Sequence, residues 1–161
     1  YVKAYDYLFK LLSKLNLNKN SKFKYFIIFG NNSHNFPYKK FNNLIFYDFG
    51  FVRNEKIDKL YRLSNIFILT SRQETFSQLT ADSIVNKIPI VAFNCSGHRE
   101  LISHKKNGYL AKKFRINDLI IGMNYFKNKN IQYINNLKKY SKKNYYKNYL
   151  YKVYDYNNFK Y

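Results

Sequence analysis

Acidic side chains are scarce in this chain, nine among 161 residues, yet Glu74, Asp82 and Glu100 fall within one stretch. Glu74 sits in the segment Ser71 to Phe76, just after an apolar run. Asp82 lies about one and a half turns into the helix expected to begin near Ser77. Free backbone N–H groups at a helix start suit a phosphate, and carboxylates that accept two hydrogen bonds suit the paired hydroxyls of a sugar or ribose. The same spacing also fits a plainer arrangement, in which Ser77 caps the helix and the two acids complement its dipole. Other constellations are thinner. Cys95 and His98 are three residues apart, but a metal needs more ligands, and neither His34 nor His104 has a spacing that recruits it. The pair reads as a small buried thiol and a surface histidine. The phosphate-binding Gly-x-x-x-x-Gly-Lys loop, the dinucleotide Gly-x-Gly-x-x-Gly and a cation-holding Asp-x-Asp are all absent, which speaks against a P-loop NTPase and a dinucleotide oxidoreductase.

The elements that must position these residues follow from hydrophobic spacing. Phe23 to Phe29, Asn43 to Tyr47, Asn65 to Thr70 and Ile88 to Phe93 are short apolar runs bounded by Gly, Asn, Ser or Pro, and they read as buried strands. Helical spacing joins Leu8, Leu11, Leu12 and Leu15 before the first run, Ile57, Leu60 and Tyr61 before the third, and Leu79, Ile84 and Val85 before the fourth. This alternation predicts an α/β fold, a Rossmann-like open parallel sheet with helices on both faces, binding its ligand outside the carboxyl ends of the strands. The loops after Gly30, Tyr47, Thr70 and Phe93 are therefore the expected site.

Length and composition set the frame. One domain of this size buries roughly two thirds of its unfolded surface, and a chain with 46% hydrophobic residues is not disordered throughout. Its apolar runs are strand-sized, well short of a membrane span. A single cysteine suits a reducing compartment. The formal net charge of +20 attracts phosphate, on nucleic acid, anionic lipid or nucleotide. However, the excess consists of 24 Lys to 5 Arg, with abundant Asn, Ile, Phe and Tyr, and drift toward A- and T-rich codons produces the same bias. From Lys127 onward the chain holds nine lysines, nine tyrosines and a single acid, Asp155. Residues Ile131 to Tyr149 read as a helix, either packing on the sheet or offering a basic aromatic surface to anionic lipid.

Several motifs in register resemble one family. The segments SRQETFSQLTAD (71–82), IPIVAFNCSGHRELI (88–102) and NGYLA (107–111) are similar to the E-G-F-G-x-x-x-x-E, G-x-P-V-V-A, G-G-x-x-E and N-G-x-L motifs of retaining glycosyltransferases of glycosyl group 1 type, family four, in the two-Rossmann-domain class. GFV at 50–52, LY at 60–61 and NIFILTS at 65–71 resemble further segments of that pattern. The likeness runs from about Lys3 to Phe114 and points to the carboxyl-terminal, donor-binding half.

The resemblance implies roles residue by residue. Glu74 contacts the transferred sugar, Asp82 holds the ribose hydroxyls, and the backbone amides of Phe76, Ser77 and Gln78 cradle the diphosphate. Lys3, in KAYDYL (3–8), neutralises the departing diphosphate, while Val52 and Arg53 lie near the nucleobase. Asp82 stands where the family has Glu, and Thr75, Ser77 and Ala4 stand where it has Gly, so the ribose contact lengthens and the phosphate loop is more crowded.

The expectation is then a nucleotide-sugar-binding domain over 1–126 with a terminal helix and Lys/Tyr-rich tail over 127–161. Its donor is a nucleotide-diphosphate sugar, with no cofactor and no metal; its acceptor is a glycan or lipid-linked molecule in surface polysaccharide synthesis. The amino-terminal acceptor domain and an arginine preceding the lysine would lie outside the chain, leaving it inactive alone. The expected location is cytoplasmic, with peripheral contact at the inner membrane face and no specific nucleic acid. Rival expectations are a basic nucleic-acid or anionic-membrane module, and an inactive remnant of the enzyme.

Overall fold

The computed structural model describes residues 4–30, 36–75 and 77–127. Lys3, His34, Phe76 and the expected helix at 131–149 lie outside the described residues. Elements alternate in the order α1 (Tyr5–Leu17), β1 (Tyr25–Ile28), β2 (Ile45–Asp48), α2 (Asn54–Leu63), β3 (Phe67–Leu69), α3 (Gln78–Val85), β4 (Ile90–Phe93), α4 (Ser96–Leu101), β5 (Gly108–Ala111) and α5 (Ile116–Lys127). A 3-10 turn at Tyr38–Lys40 lies on the β1–β2 connection.

The four expected strands are present, each shorter than its apolar run, and all the described pairings are parallel. They form two ladders, β1-β2 and β3-β4-β5, where one continuous sheet was expected. Rings fill the seam between the ladders: Phe29, just beyond β1, stacks on Phe67 of β3 at 6.2 Å and meets Tyr61 of α2 edge-on at 6.2 Å.

Strand β4 shows why this sequence makes a two-sided sheet. All four of its residues are buried, and alternation sends them to opposite faces. Val91 and Phe93 join Tyr109 and Ala111 against Leu11, Leu12 and Leu15 of α1 and Leu119, Met123 and Phe126 of α5. Ile90 and Ala92 face the other way, clustering with Leu69 and Ile102 and with Leu79 of α3. Ala81, Ile84 and Leu101 then join α3 to α4. Helices thus cover both faces, as a parallel sheet requires.

β5, α4 and α5 had no counterpart among the sequence-based elements. Gly108 opens β5 and interrupts the apolar pattern, because a Cβ there would stand 2.6 Å from the Ile90 carbonyl oxygen across the ladder. Close strand approach replaces side-chain burial as the reason for the strand. Helix α4 is only six residues long, too short to show a period.

Candidate functional site

The β3–α3 loop is fixed from three directions. On its near side, Thr70 Oγ1 donates to the Ala4 carbonyl oxygen (3.3 Å), and Arg72 pairs with Asp6 of α1 at 2.7 Å. Within the loop, the buried Ser71 hydroxyl donates to Glu74 Oε1 at 3.0 Å, which aims the carboxylate. From the third direction the start of α4 reaches back: Gly97 N–H (2.8 Å) and Ser96 Oγ–H (2.9 Å) both donate to the Glu74 carbonyl oxygen. Gly97 is required by proximity, since an added Cβ would lie 2.7 Å from that oxygen and 2.9 Å from the Thr75 carbonyl oxygen.

Helix α3 starts beside this loop. Ser77 is its N-cap, its side chain accepting from Thr80 N–H at 3.4 Å, so the capping expectation holds. A cap that takes one N–H leaves the other first-turn amides able to meet an anion. One turn on, Asp82 Oδ1 accepts from Gln78 Nε2 at 2.8 Å. Burial pushes the Asp82 carboxyl above its ordinary value and nearby Asp58 adds to this, while the Gln78 hydrogen bond pulls it back. Tyr61 of α2 donates its hydroxyl to the Leu79 carbonyl oxygen (3.2 Å); burial, then Asp82 and Asp58, push its pKa upward, so it stays a donor. Asn86 at the end of α3 donates to Asp58 of α2 at 2.9 Å. Helix α2 is thereby tied to α3.

Val52 and Arg53 lie in the loop after β2, where Arg53 is the N-cap residue of α2 with extended backbone. That loop is pinned by Gly30 N–H to the Gly50 carbonyl oxygen (2.8 Å) and by Gly50 N–H to Asp48 Oδ1 (2.9 Å). Gly50 has φ +58°, the left-handed region that favours glycine. Glu74, Ser77, Gln78 and Asp82 thus belong to one loop–helix junction, and Val52 and Arg53 to the loop after the neighbouring ladder. Lys3 and Phe76, the remaining expected site residues, are outside the described set.

His98 is a correction. Its spacing suggested a surface histidine, yet it is fully buried, with Nδ1 3.1 Å from Thr80 Oγ1. The short helix α4 turns this residue toward α3, a tertiary contact with no local signal. Cys95 is buried as expected, and burial raises its thiol pKa with nearby Glu74 adding to the effect, which makes it a poor nucleophile. Among the described residues no group of three His, Cys, Asp or Glu could hold a metal ion. No helix among them is long and apolar enough to cross a membrane. A depression of about 420 Å³ between α1 and the start of α5 is lined by Phe9, Lys14 and Arg115 among others, but not by Glu74 or Asp82.

Comparison with known proteins is consistent with this geometry. A family model described as "Glycosyl transferases group 1" matches residues 1–144. A protein named "Uncharacterized glycosyltransferase" of Haemophilus influenzae is 33% identical over 72 residues, covering 44% of this chain and 20% of that protein. Spore coat protein SA of Bacillus subtilis is 33% identical over 79 residues, covering 44% of this chain and 21% of its own length. The chain thus spans about a fifth of the curated relatives it matches. Among solved structures, a point mutant of S. aureus TarM in complex with fondaparinux, alpha-GlcNAc-glycerol and UDP superposes with TM-score 0.75 at 22% identity. That match covers 92% of this chain and 30% of TarM. Anabaena HepE in complex with UDP-glucose superposes with TM-score 0.70 at 17% identity, over 90% and 41% of the two chains. At such identities these two likenesses establish the fold.

Proposed function

Because the chain belongs to the glycosyl transferases group 1 family, we propose that it forms the donor-binding, carboxyl-terminal half of a retaining glycosyltransferase that uses a nucleotide-diphosphate sugar. The observation that carries this reading is the junction at Glu74. A carboxylate aimed by Ser71 stands next to a capped helix start, with a second carboxylate one turn further along. TarM in complex with UDP and HepE in complex with UDP-glucose support the donor class.

In this reading the diphosphate rests on the backbone amides of Phe76, Ser77 and Gln78, and Lys3 balances its charge as it departs. Glu74 holds the transferred sugar. Asp82 accepts from the ribose hydroxyls, and Val52 and Arg53 border the base. Preorganised donors facing the developing charge are an effective catalytic device; the acceptor hydroxyl then attacks from the face the leaving group vacates, and no metal is needed. Residues 1–126 form the donor unit in this proposal. The acceptor site lies on a separate amino-terminal domain, and the acceptor is a glycan or lipid-linked molecule in surface polysaccharide synthesis. The Lys/Tyr-rich residues from Lys127 onward give a peripheral attachment to anionic lipid.

Calorimetric titration of the chain with UDP, ADP and GDP, with and without a chelator, tests the donor reading. Binding of at least one diphosphate that persists in the chelator is expected. Binding that vanishes with the chelator contradicts metal independence, and no binding of any of the three contradicts the donor site itself.

A further inference from the structure

Away from the Glu74 junction, the depression between α1 and the start of α5 has a chemistry of its own. Its cationic side chains are Lys10 and Lys14 of α1 and Arg115 just before α5, its apolar ones Phe9, Phe114 and Ile116, and no acid among the described residues lines it. The acids nearest along the chain are engaged elsewhere. Asp6 pairs with Arg72 at 2.7 Å and reaches Lys10 only at 4.0 Å, while Asp118 accepts from the Tyr109 hydroxyl and from Lys112 N–H. Lys14 Nζ donates to Asn117 Oδ1 at 2.6 Å, a neutral acceptor that leaves its charge unbalanced. Arg115 has no carboxylate within 4.0 Å among the described residues. Lys112 and Lys113, both exposed, extend the positive rim. Ring packing fixes the apolar side. Phe114 holds a left-handed backbone, φ 62°, which a bulky residue adopts only under constraint. Its ring stacks on Tyr7 at 5.3 Å and meets Phe93 edge-on at 5.8 Å, yet 41% of the residue stays exposed.

Three cations around an apolar floor, with no acid among them, suit an anion carried on an apolar body. We propose that this depression seats the phosphate headgroup of an anionic bilayer lipid, with Phe9, Phe114 and Ile116 at the boundary between headgroup and chains. Its volume of about 420 Å³ lies within the roughly 300 to 1,000 Å³ of ligand sites. A polynucleotide is the poorer match, because such strands stack bases on open ring faces, whereas Phe114 gives one face to Tyr7. The inference is independent of the donor reading, and it goes beyond the basic tail by assigning a membrane contact to folded residues of α1 and the β5–α5 loop. It also sets an orientation. Arg72 of the β3–α3 loop lies 5.0 Å over the Tyr7 ring, the same ring that stacks on Phe114. A domain seated on lipid through this depression therefore holds the loop that carries Glu74 close to the bilayer surface, where a lipid-linked acceptor is presented.

The test is vesicle sedimentation of the whole 161-residue chain, with vesicles of phosphatidylcholine alone and of phosphatidylcholine and phosphatidylglycerol in equal parts. Two triple variants carry the comparison. Lys10→Gln, Lys14→Gln and Arg115→Gln together empty the depression of charge; Lys56→Gln, Lys59→Gln and Arg62→Gln remove the same charges from α2, which is tied to α3 on the opposite side of the sheet. All six side chains belong to exposed residues, so both variants should keep the wild-type unfolding midpoint, and both keep the tail. Wild type should bind the anionic vesicles and not the neutral ones. The depression variant should lose about tenfold or more of that affinity, and the α2 variant less than about threefold. Equal losses in the two variants, wild-type binding that ignores the anionic lipid, or no vesicle binding at all overturns the inference. Displacement of the chain from vesicles by glycerol phosphate at matching phosphate concentration also overturns it, in favour of a soluble phosphate ligand. So does a single-stranded oligonucleotide that binds more tightly than the vesicles and is weakened by the depression variant alone. Absence of nucleoside diphosphate binding by the wild-type chain bears on the donor reading only.

Discussion

Gly97→Ala probes the support of the proposed sugar-binding loop with the smallest possible perturbation. The added methyl would stand 2.7 Å from the Glu74 carbonyl oxygen and 2.9 Å from that of Thr75. Ordinary carbon–heavy-atom contact begins near 3.5 Å, so α4 and the loop must separate by about half an ångström or more. Both obstructing atoms are backbone, and no side-chain rotation relieves the clash. Overpacking of one methyl group costs about 1 to 3 kcal/mol. Against it stands alanine's better helix propensity, roughly 0.5 to 1 kcal/mol in a helix interior and less here, in the first turn of a six-residue helix. The net expectation is a loss of about 1 to 2 kcal/mol by urea unfolding.

The displacement also carries the functional prediction. Parting the two segments stretches the Gly97 N–H and Ser96 Oγ–H bonds to the Glu74 carbonyl oxygen and moves the carboxylate that Ser71 orients. The preference for UDP-sugar over UDP should therefore collapse while UDP affinity is largely kept. Ser96→Ala is the control: it removes a hydrogen bond worth about 1 kcal/mol without a clash, and it should spare the sugar preference. A Gly97→Ala variant with wild-type stability and an intact sugar preference refutes the clamp.

Three other predictions follow from named atoms. Asp82 has its folded pKa raised by burial; the native state then holds the proton more tightly than the unfolded chain, and stability falls as pH rises from the ordinary carboxylate value through the raised one. Asp82→Asn should remove that slope, be no less stable at neutral pH, and bind nucleoside diphosphate less tightly; urea midpoints from acid to neutral pH check the first two, and a steeper acid-side dependence in the variant would be incompatible with the argument. Ala4 sits at φ 49°, ψ 57°, a left-handed conformation costing a non-glycine residue about 1 to 2 kcal/mol; the entropic cost of glycine, about 0.5 to 1 kcal/mol, and the loss of a buried methyl, about 0.8 kcal/mol, offset that relief, so Ala4→Gly should melt within about 3 degrees of wild type, and a fall of about 8 degrees or more would contradict the relief of strain. Glu74→Gln should lose about 1.5 to 3 kcal/mol of UDP-sugar binding and keep UDP affinity within twofold by titration; a matching loss of UDP would place Glu74 on the nucleotide instead of the sugar.

Features that depend on near neighbours are legible in the order of residues. Short apolar runs and leucines at helical spacing marked β1 to β4 and α1 to α3, because strand and helix periods are properties of a few consecutive residues. The same local order locates Glu74 and Asp82 about a helix start and offers Ser77 as its cap, which the structure bears out. Contacts between distant segments emerge only in the folded chain. Gly97 reads as a weak helix residue until the Glu74 carbonyl, 23 positions earlier, stands where its side chain would be. Gly108 breaks an apolar pattern yet opens β5, since only a missing Cβ lets it approach Ile90. His98 looked like a surface residue because its partner, Thr80, belongs to another helix. Arg72 and Asp6 pair across 66 residues. Local patterning reports which side of an element is apolar; the polar bonds that build the site form between elements, and their partners are fixed only when the chain has folded.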